Sequence, residues 1–88
     1  MIICKVIGHV WATKKEPNLE GLKLMVVREE DSSKTHVAAD VVGAGIGERV
    51  LVVSGSTARS VFGGGRTVPA DMAIVGIIDN LEINETAR

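Results

Sequence analysis

The chain opens on an alternating stretch. Ile2, Cys4, Val6, Gly8 and Val10 fall on one side of an extended backbone, and Ile3, Lys5, Ile7, His9 and Trp11 on the other. Successive side chains of a strand point to opposite faces, so this period of two predicts a first strand with the Ile2–Val10 set turned to the core. Residues 13–21 are polar, contain Pro17-Asn18 and predict a loop. A second strand is predicted over Leu22–Glu29, where Leu22, Leu24 and Val26 alternate with Lys23, Met25 and Val27, and a third over Thr35–Val42. The polar run Glu30–Lys34 between them predicts a hairpin turn.

Two later segments differ in kind. Val50-Leu51-Val52-Val53, inside a strand predicted over Glu48–Ser54, has no polar face, nor has Ala73–Ile78 inside one predicted over Met72–Asp79. Strands buried on both sides have this pattern, so a barrel filled inside and also covered outside is expected. In a chain of 88 residues, that cover is expected from a neighbouring subunit. Ser56–Phe62 predicts a short helical turn with Ser56 as its N-cap and Gly63-Gly64-Gly65 as its stop. Residues 82–88 are a polar tail. The elements together predict a mainly β fold with one short helix, in one domain over residues 1–88.

Between the third and fourth strands lies Gly43-Ala44-Gly45-Ile46-Gly47, with glycine at every second position. Such spacing between β-branched runs predicts a tight bend that needs positive φ or close backbone approach. A dinucleotide fingerprint requires G-x-G-x-x-G opening a helix, whereas position 48 here is Glu and a strand follows. Gly63-Gly64-Gly65-Arg66-Thr67 has Arg66 where a phosphate loop needs lysine, and Ser60 in place of its first glycine. Asp40 and Glu48 flank the bend and Arg59 follows it. An arginine forks onto carboxylates with fixed geometry, so the three can lock loops within or between subunits. Solvated surface charges are the equally open alternative.

Composition narrows the function. Ten Lys and Arg stand against eleven Asp and Glu, with no basic run beyond Lys14-Lys15 and with Trp11 and Phe62 as the only aromatic residues. A nucleic-acid surface calls for clustered positive charge and, for single strands, stacking rings. Cys4 has no second cysteine to pair with, which predicts a reducing cytosolic setting. No segment reaches the ~20 apolar residues of a membrane-spanning helix. His9, His36 and Cys4 are not grouped as metal ligands, and Ser54, Ser56 and Ser60 lack an adjacent base. No catalytic residue, metal site or cofactor is therefore expected.

Assembled, these residues resemble the vertex proteins of bacterial microcompartment shells, the family typified in carboxysomes and ethanolamine-utilisation compartments. The likeness covers Met1–Asp79. It rests on Val6-x-Gly8-x-Val10-x-Ala12-Thr13-Lys14, Leu22-x-Leu24, Ala39-Asp40-x-Val42-Gly43-Ala44-Gly45-x-Gly47-Glu48-x-Val50-Leu51, Gly55-Ser56-x-Ala58-Arg59 and Pro69-x-Asp71-x-x-Ile74-x-x-Ile77-x-Asp79. Thr57 stands where many members carry serine, and Gly63–Gly65 replaces a usually charged loop. The resemblance implies a five-stranded, OB-like β-barrel assembled as a cyclic pentamer. It also implies a structural, non-enzymatic role in the cytoplasm, closing the vertices of a polyhedral shell beside hexameric shell proteins, without nucleic-acid or membrane partners. Asp40, Gly43, Ala44, Gly45, Gly47, Glu48, Ser56 and Arg59 become the subunit-interface or pore-loop candidates. Two other readings stay open at this level: an OB-type nucleic-acid-binding module, and a small enzyme with an inter-subunit site.

Overall fold

The computed structural model describes residues 1–11, 17, 21–61 and 70–80. Five strands and one helix occur in the order β1 (Ile2–His9), β2 (Lys23–Glu29), β3 (Thr35–Asp40), β4 (Arg49–Ser54), α1 (Gly55–Ser60) and β5 (Met72–Ile77). All five predicted strands form, most of them shorter by one or two residues at the ends. They close into a barrel in the order β1-β2-β3-β5-β4. β2 and β3 make the expected hairpin, from Arg28 opposite Thr35 to Lys23 opposite Asp40. β5, the last strand in sequence, sits between β3 and β4. It runs parallel to β3 through only Ala39–Ala73 and Asp40–Ile74, and antiparallel to β4 over most of its length.

The barrel interior holds Val6, Met25, Val27, Val50, Val52 and Ile74, all fully buried, with Cys4 among them. In β2 the inward set is Met25 and Val27, so the alternation there resolves in favour of the face that also carries Lys23. In β1 the simple alternation fails after Val6. A bulge lies between Val6 and Gly8, so Val6 faces Val27, whereas Gly8 faces Val26 and His9 faces Met25. The extra residue moves Gly8 and Val10 off the predicted core side and turns His9 toward it. Consistent with this, a Cβ at Gly8 would meet the Cβ of Val26 at 3.9 Å.

The two-sided apolar strands are covered outside in part by the chain itself. Val53 and Ala73 are buried against Ala58 of α1, with Val61 and Val75 packed alongside. The helix spans Gly55–Ser60, which puts Ser56 inside it and not at its N-cap. Gly55 has φ 69° and donates its N–H to the Asp71 carbonyl at 2.8 Å, tying the start of α1 to the approach to β5. The predicted stop at Gly63–Gly65 and the polar tail lie outside the described residues.

Candidate functional site

The glycine bend joins β3 to β4 and closes one end of the barrel, and its own carboxylates fold it. Asp40 ends β3 with its side chain wholly buried. One carboxylate oxygen accepts the N–H groups of Val42 (3.0 Å) and Gly43 (3.1 Å), and the other that of Ala44 (2.7 Å). A short acid is favoured here because its oxygens reach the backbone two to four residues ahead, in place of the lost strand ladder. Ala44 then drops its methyl into the barrel core, fully buried. Glu48 accepts the Gly45 N–H at 2.6 Å, and the Glu48 N–H returns to the Gly45 carbonyl at 3.1 Å. β1 grips the end of the bend, with Gly47 N–H to the Val6 carbonyl at 2.8 Å and Val6 N–H to the Glu48 carbonyl at 2.9 Å.

Two of the three glycines need left-handed backbone: Gly43 at φ 81° and Gly47 at φ 94°. Gly45 does not. Its N–H sits against Glu48, and an added Cβ would touch Oε1 of Glu48 at 3.4 Å. The expectation of strain at all three therefore holds at Gly43 and Gly47 and fails at Gly45, where the glycine faces an ordinary contact.

A run of backbone N–H groups can form an anion-binding concavity. Here the N–H groups of Val42, Gly43, Ala44 and Gly45 are all taken by Asp40 and Glu48. The bend thus fills its own anion site and leaves none of these four amides free for the phosphates of a dinucleotide. What it offers outward is apolar: Val41, Val42 and Ile46 are exposed, the last at 62%.

The structure brings six of the eight candidates together: Asp40, Gly43, Ala44, Gly45, Gly47 and Glu48 form one unit. Ser56 is exposed on α1, and Arg59 lies in the same helix, its side chain outside the described set. Asp40 pairs with a residue the sequence reading passed over. Lys23, directly opposite in the β2–β3 register, places Nζ 3.7 Å from Oδ2 of Asp40 and donates to the Ala44 carbonyl at 2.8 Å. Centring the hairpin on the polar run 30–34 would set Lys23 against Val41, one residue out of the observed register, so the pairing was not legible along the chain.

At the hairpin-turn end the polar groups pair with one another instead. Arg49 forks onto Glu30 at 2.6 and 2.7 Å, and His36 bonds Glu29. The His36 hydrogen bond holds Glu29 below the usual carboxylate range, and the Arg49 hydrogen bond does the same for Glu30 while raising the guanidinium. Burial, with Glu29 and Glu30 nearby, pushes the Cys4 thiol up, away from the reactive thiolate. Met1, Ile2, Ile3, Glu29, Glu30, Asp31 and Arg49 line a shallow cleft of about 470 Å³ at this end. Among the described residues, no three His, Cys, Asp or Glu side chains are grouped to hold a metal ion, and no helix is long and apolar enough to cross a membrane.

The family described as "Ethanolamine utilisation protein EutN/carboxysome" matches residues 1–79. The carboxysome shell vertex protein CcmL of Synechocystis is 46% identical over 88 residues, covering 94% of this chain and 87% of the relative. The bacterial microcompartment shell vertex protein PduN of Salmonella typhimurium is 43% identical, covering 92% and 98%. Among solved structures, the pentameric microcompartment shell protein GrpN of Rhodospirillum rubrum superposes with a TM-score of 0.84 at 42% identity, covering 96% of this chain and all of that one.

Proposed function

The chain belongs to the ethanolamine-utilisation protein EutN/carboxysome family, and from that premise we propose that it is a shell vertex protein acting as a homopentamer. Five copies close one corner of a polyhedral microcompartment shell in the cytoplasm, and the role is structural, not catalytic. The observation that carries this reading is the glycine bend, a loop held rigid by its own carboxylates while Val41, Val42 and Ile46 face outward. Exposed apolar side chains on a fixed backbone suit a subunit boundary, because association then orders little that is not already ordered. A cyclic ring needs two unlike faces on each subunit. The bend and α1 supply one of them, with Asp40, Gly43, Ala44, Gly45, Gly47 and Glu48 shaping it and Ser56 and Arg59 at its margin. The outer surfaces of β4 and β5 beyond the reach of α1, including the half-buried Leu51, take their remaining cover from the neighbour.

Hexameric shell proteins are the proposed partners of the assembled ring. A flat sheet of six-fold tiles closes into a body only with five-fold corners. Native mass spectrometry of the purified chain tests the first step: a dominant pentamer is expected, and a dominant monomer at micromolar concentration overturns it. Co-expression with hexameric shell proteins tests the second. Closed polyhedra are expected with this chain and open sheets or tubes without it. Arg59→Ala is expected to lower the pentamer fraction while circular dichroism still reports folded strands; an unchanged pentamer removes Arg59 from the boundary.

A further inference from the structure

We propose that Lys23 is a positioning residue for subunit association: it clamps the Ala44–Gly45 peptide and so sets the direction in which Ile46 is presented to a second copy of this chain. The proposal rests on the reading that the glycine bend lies at the subunit boundary. The Ala44–Gly45 peptide is held at both of its polar atoms. Its carbonyl accepts from Nζ of Lys23 at 2.8 Å, and its N–H donates to Oε1 of Glu48 at 2.6 Å. The Ala44 N–H is fixed separately by Asp40, so Lys23 and Glu48 between them orient the far side of that residue, Lys23 holding its carbonyl.

Glycine offers little steric resistance to rotation of a neighbouring peptide plane, so the orientation at Gly45 depends on these two side chains. Ile46 follows directly and is the most exposed apolar residue of the bend. The Lys23 side chain is itself 42% exposed and contributes no atom to the barrel core. Its loss therefore leaves the barrel closed, while the carbonyl turns toward water and the bend samples several orientations. Association must then order the loop, and the ring weakens without the subunit unfolding.

Lys23→Met keeps the aliphatic stem and removes the donor and the charge. Native mass spectrometry over a dilution series is expected to move the midpoint of pentamer dissociation about tenfold toward higher protein concentration, with unchanged far-ultraviolet circular dichroism. Hydrogen exchange is expected to speed up at Gly45 and Ile46 and to stay unchanged in β1, β2 and β4. Lys23→Arg, which retains donors for both the carbonyl and Asp40, is expected to restore the ring and the protection at Gly45. If the methionine variant does not fold, Lys23→Ala carries the same comparison, since it too removes the donor and the charge. Dissociation at the wild-type concentration together with unchanged exchange at Gly45 overturns the proposal. A wild-type chain that is monomeric overturns the vertex reading itself, and that result is visible before any variant is made.

Discussion

The two ends of the barrel are finished in opposite ways. At the glycine-bend end, one wholly buried carboxylate is consumed by three backbone N–H groups and a lysine, so the loop is specified by its own amides. At the hairpin-turn end, Glu30 with Arg49 and Glu29 with His36 pair side chain to side chain, each partner roughly a quarter to a third exposed. A half-solvated pair gains little over its hydration, whereas a buried acceptor removed from its donors leaves them unsatisfied. The same kinds of residue therefore specify a shape at one end and keep the other end wet.

The sharpest way to break that contrast is Asp40→Ala. Three N–H groups lose their acceptor and Lys23 loses its counter-charge together, and a loss of about 3–4 kcal/mol is expected in urea unfolding. A loss below about 1 kcal/mol would mean that water replaces the carboxylate and that the bend is not specified from within. Next come the glycines. Gly47→Ala places a Cβ on a φ of 94° and is expected to cost about 1–2 kcal/mol. Gly45→Ala meets an ordinary contact and is expected to stay within about 0.5 kcal/mol of the wild type. Equal effects at the two positions would undo the distinction between them.

The smallest effect belongs to the hairpin-turn end. Arg49→Met is expected to lower the urea midpoint at pH 7 only slightly. Its signature lies in acid. Glu29 and Glu30 are held below their ordinary value of 4.5, so the stability they contribute is present above that pH and is lost as pH falls through their lowered values. Without Arg49, Glu30 returns toward its ordinary value and the fall in stability below about pH 4.5 becomes shallower. An identical acid limb in wild type and variant would show the Glu30–Arg49 fork to be without consequence. Glu29 retains His36 in the variant, so part of the acid dependence remains.

Periodicity alone located five strands, a hairpin and a short helix, because Val-, Ile- and Leu-rich runs punctuated by polar turns leave few other options for a chain of this length. The two-sided apolar strands already pointed to a barrel, whereas the five-fold ring came from the resemblance to vertex proteins, since no spacing in one chain encodes a count of subunits. Local pattern failed where one residue changed the parity: Gly8 inside the strand is a bulge signal that simple alternation passes over, and the bulge at Val6/Gly8 reversed the faces of Gly8, His9 and Val10. Within the bend, spacing singled out the glycines but could not tell Gly45, where a Cβ meets only an ordinary contact, from Gly43 and Gly47, whose positive φ requires glycine. The role of Asp40 as an acceptor for the loop, and Lys23 as its companion, depend on strand register, which a pass along the chain does not compute.

The placement of β5 bears on the order of events during synthesis. β3 and β4 leave the ribosome with 8 residues between them yet are never neighbours, because the strand that joins them is made last of the five. Until Met72–Ile77 slots in, the nascent chain carries two open strand edges on a sheet that cannot yet close, which is the kind of intermediate that pairs with the wrong molecule. The seam it must complete against β3 is only two residue pairs long. Closing that short seam within one chain removes the open edges, so the hazard of mispairing lies before β5 is in place.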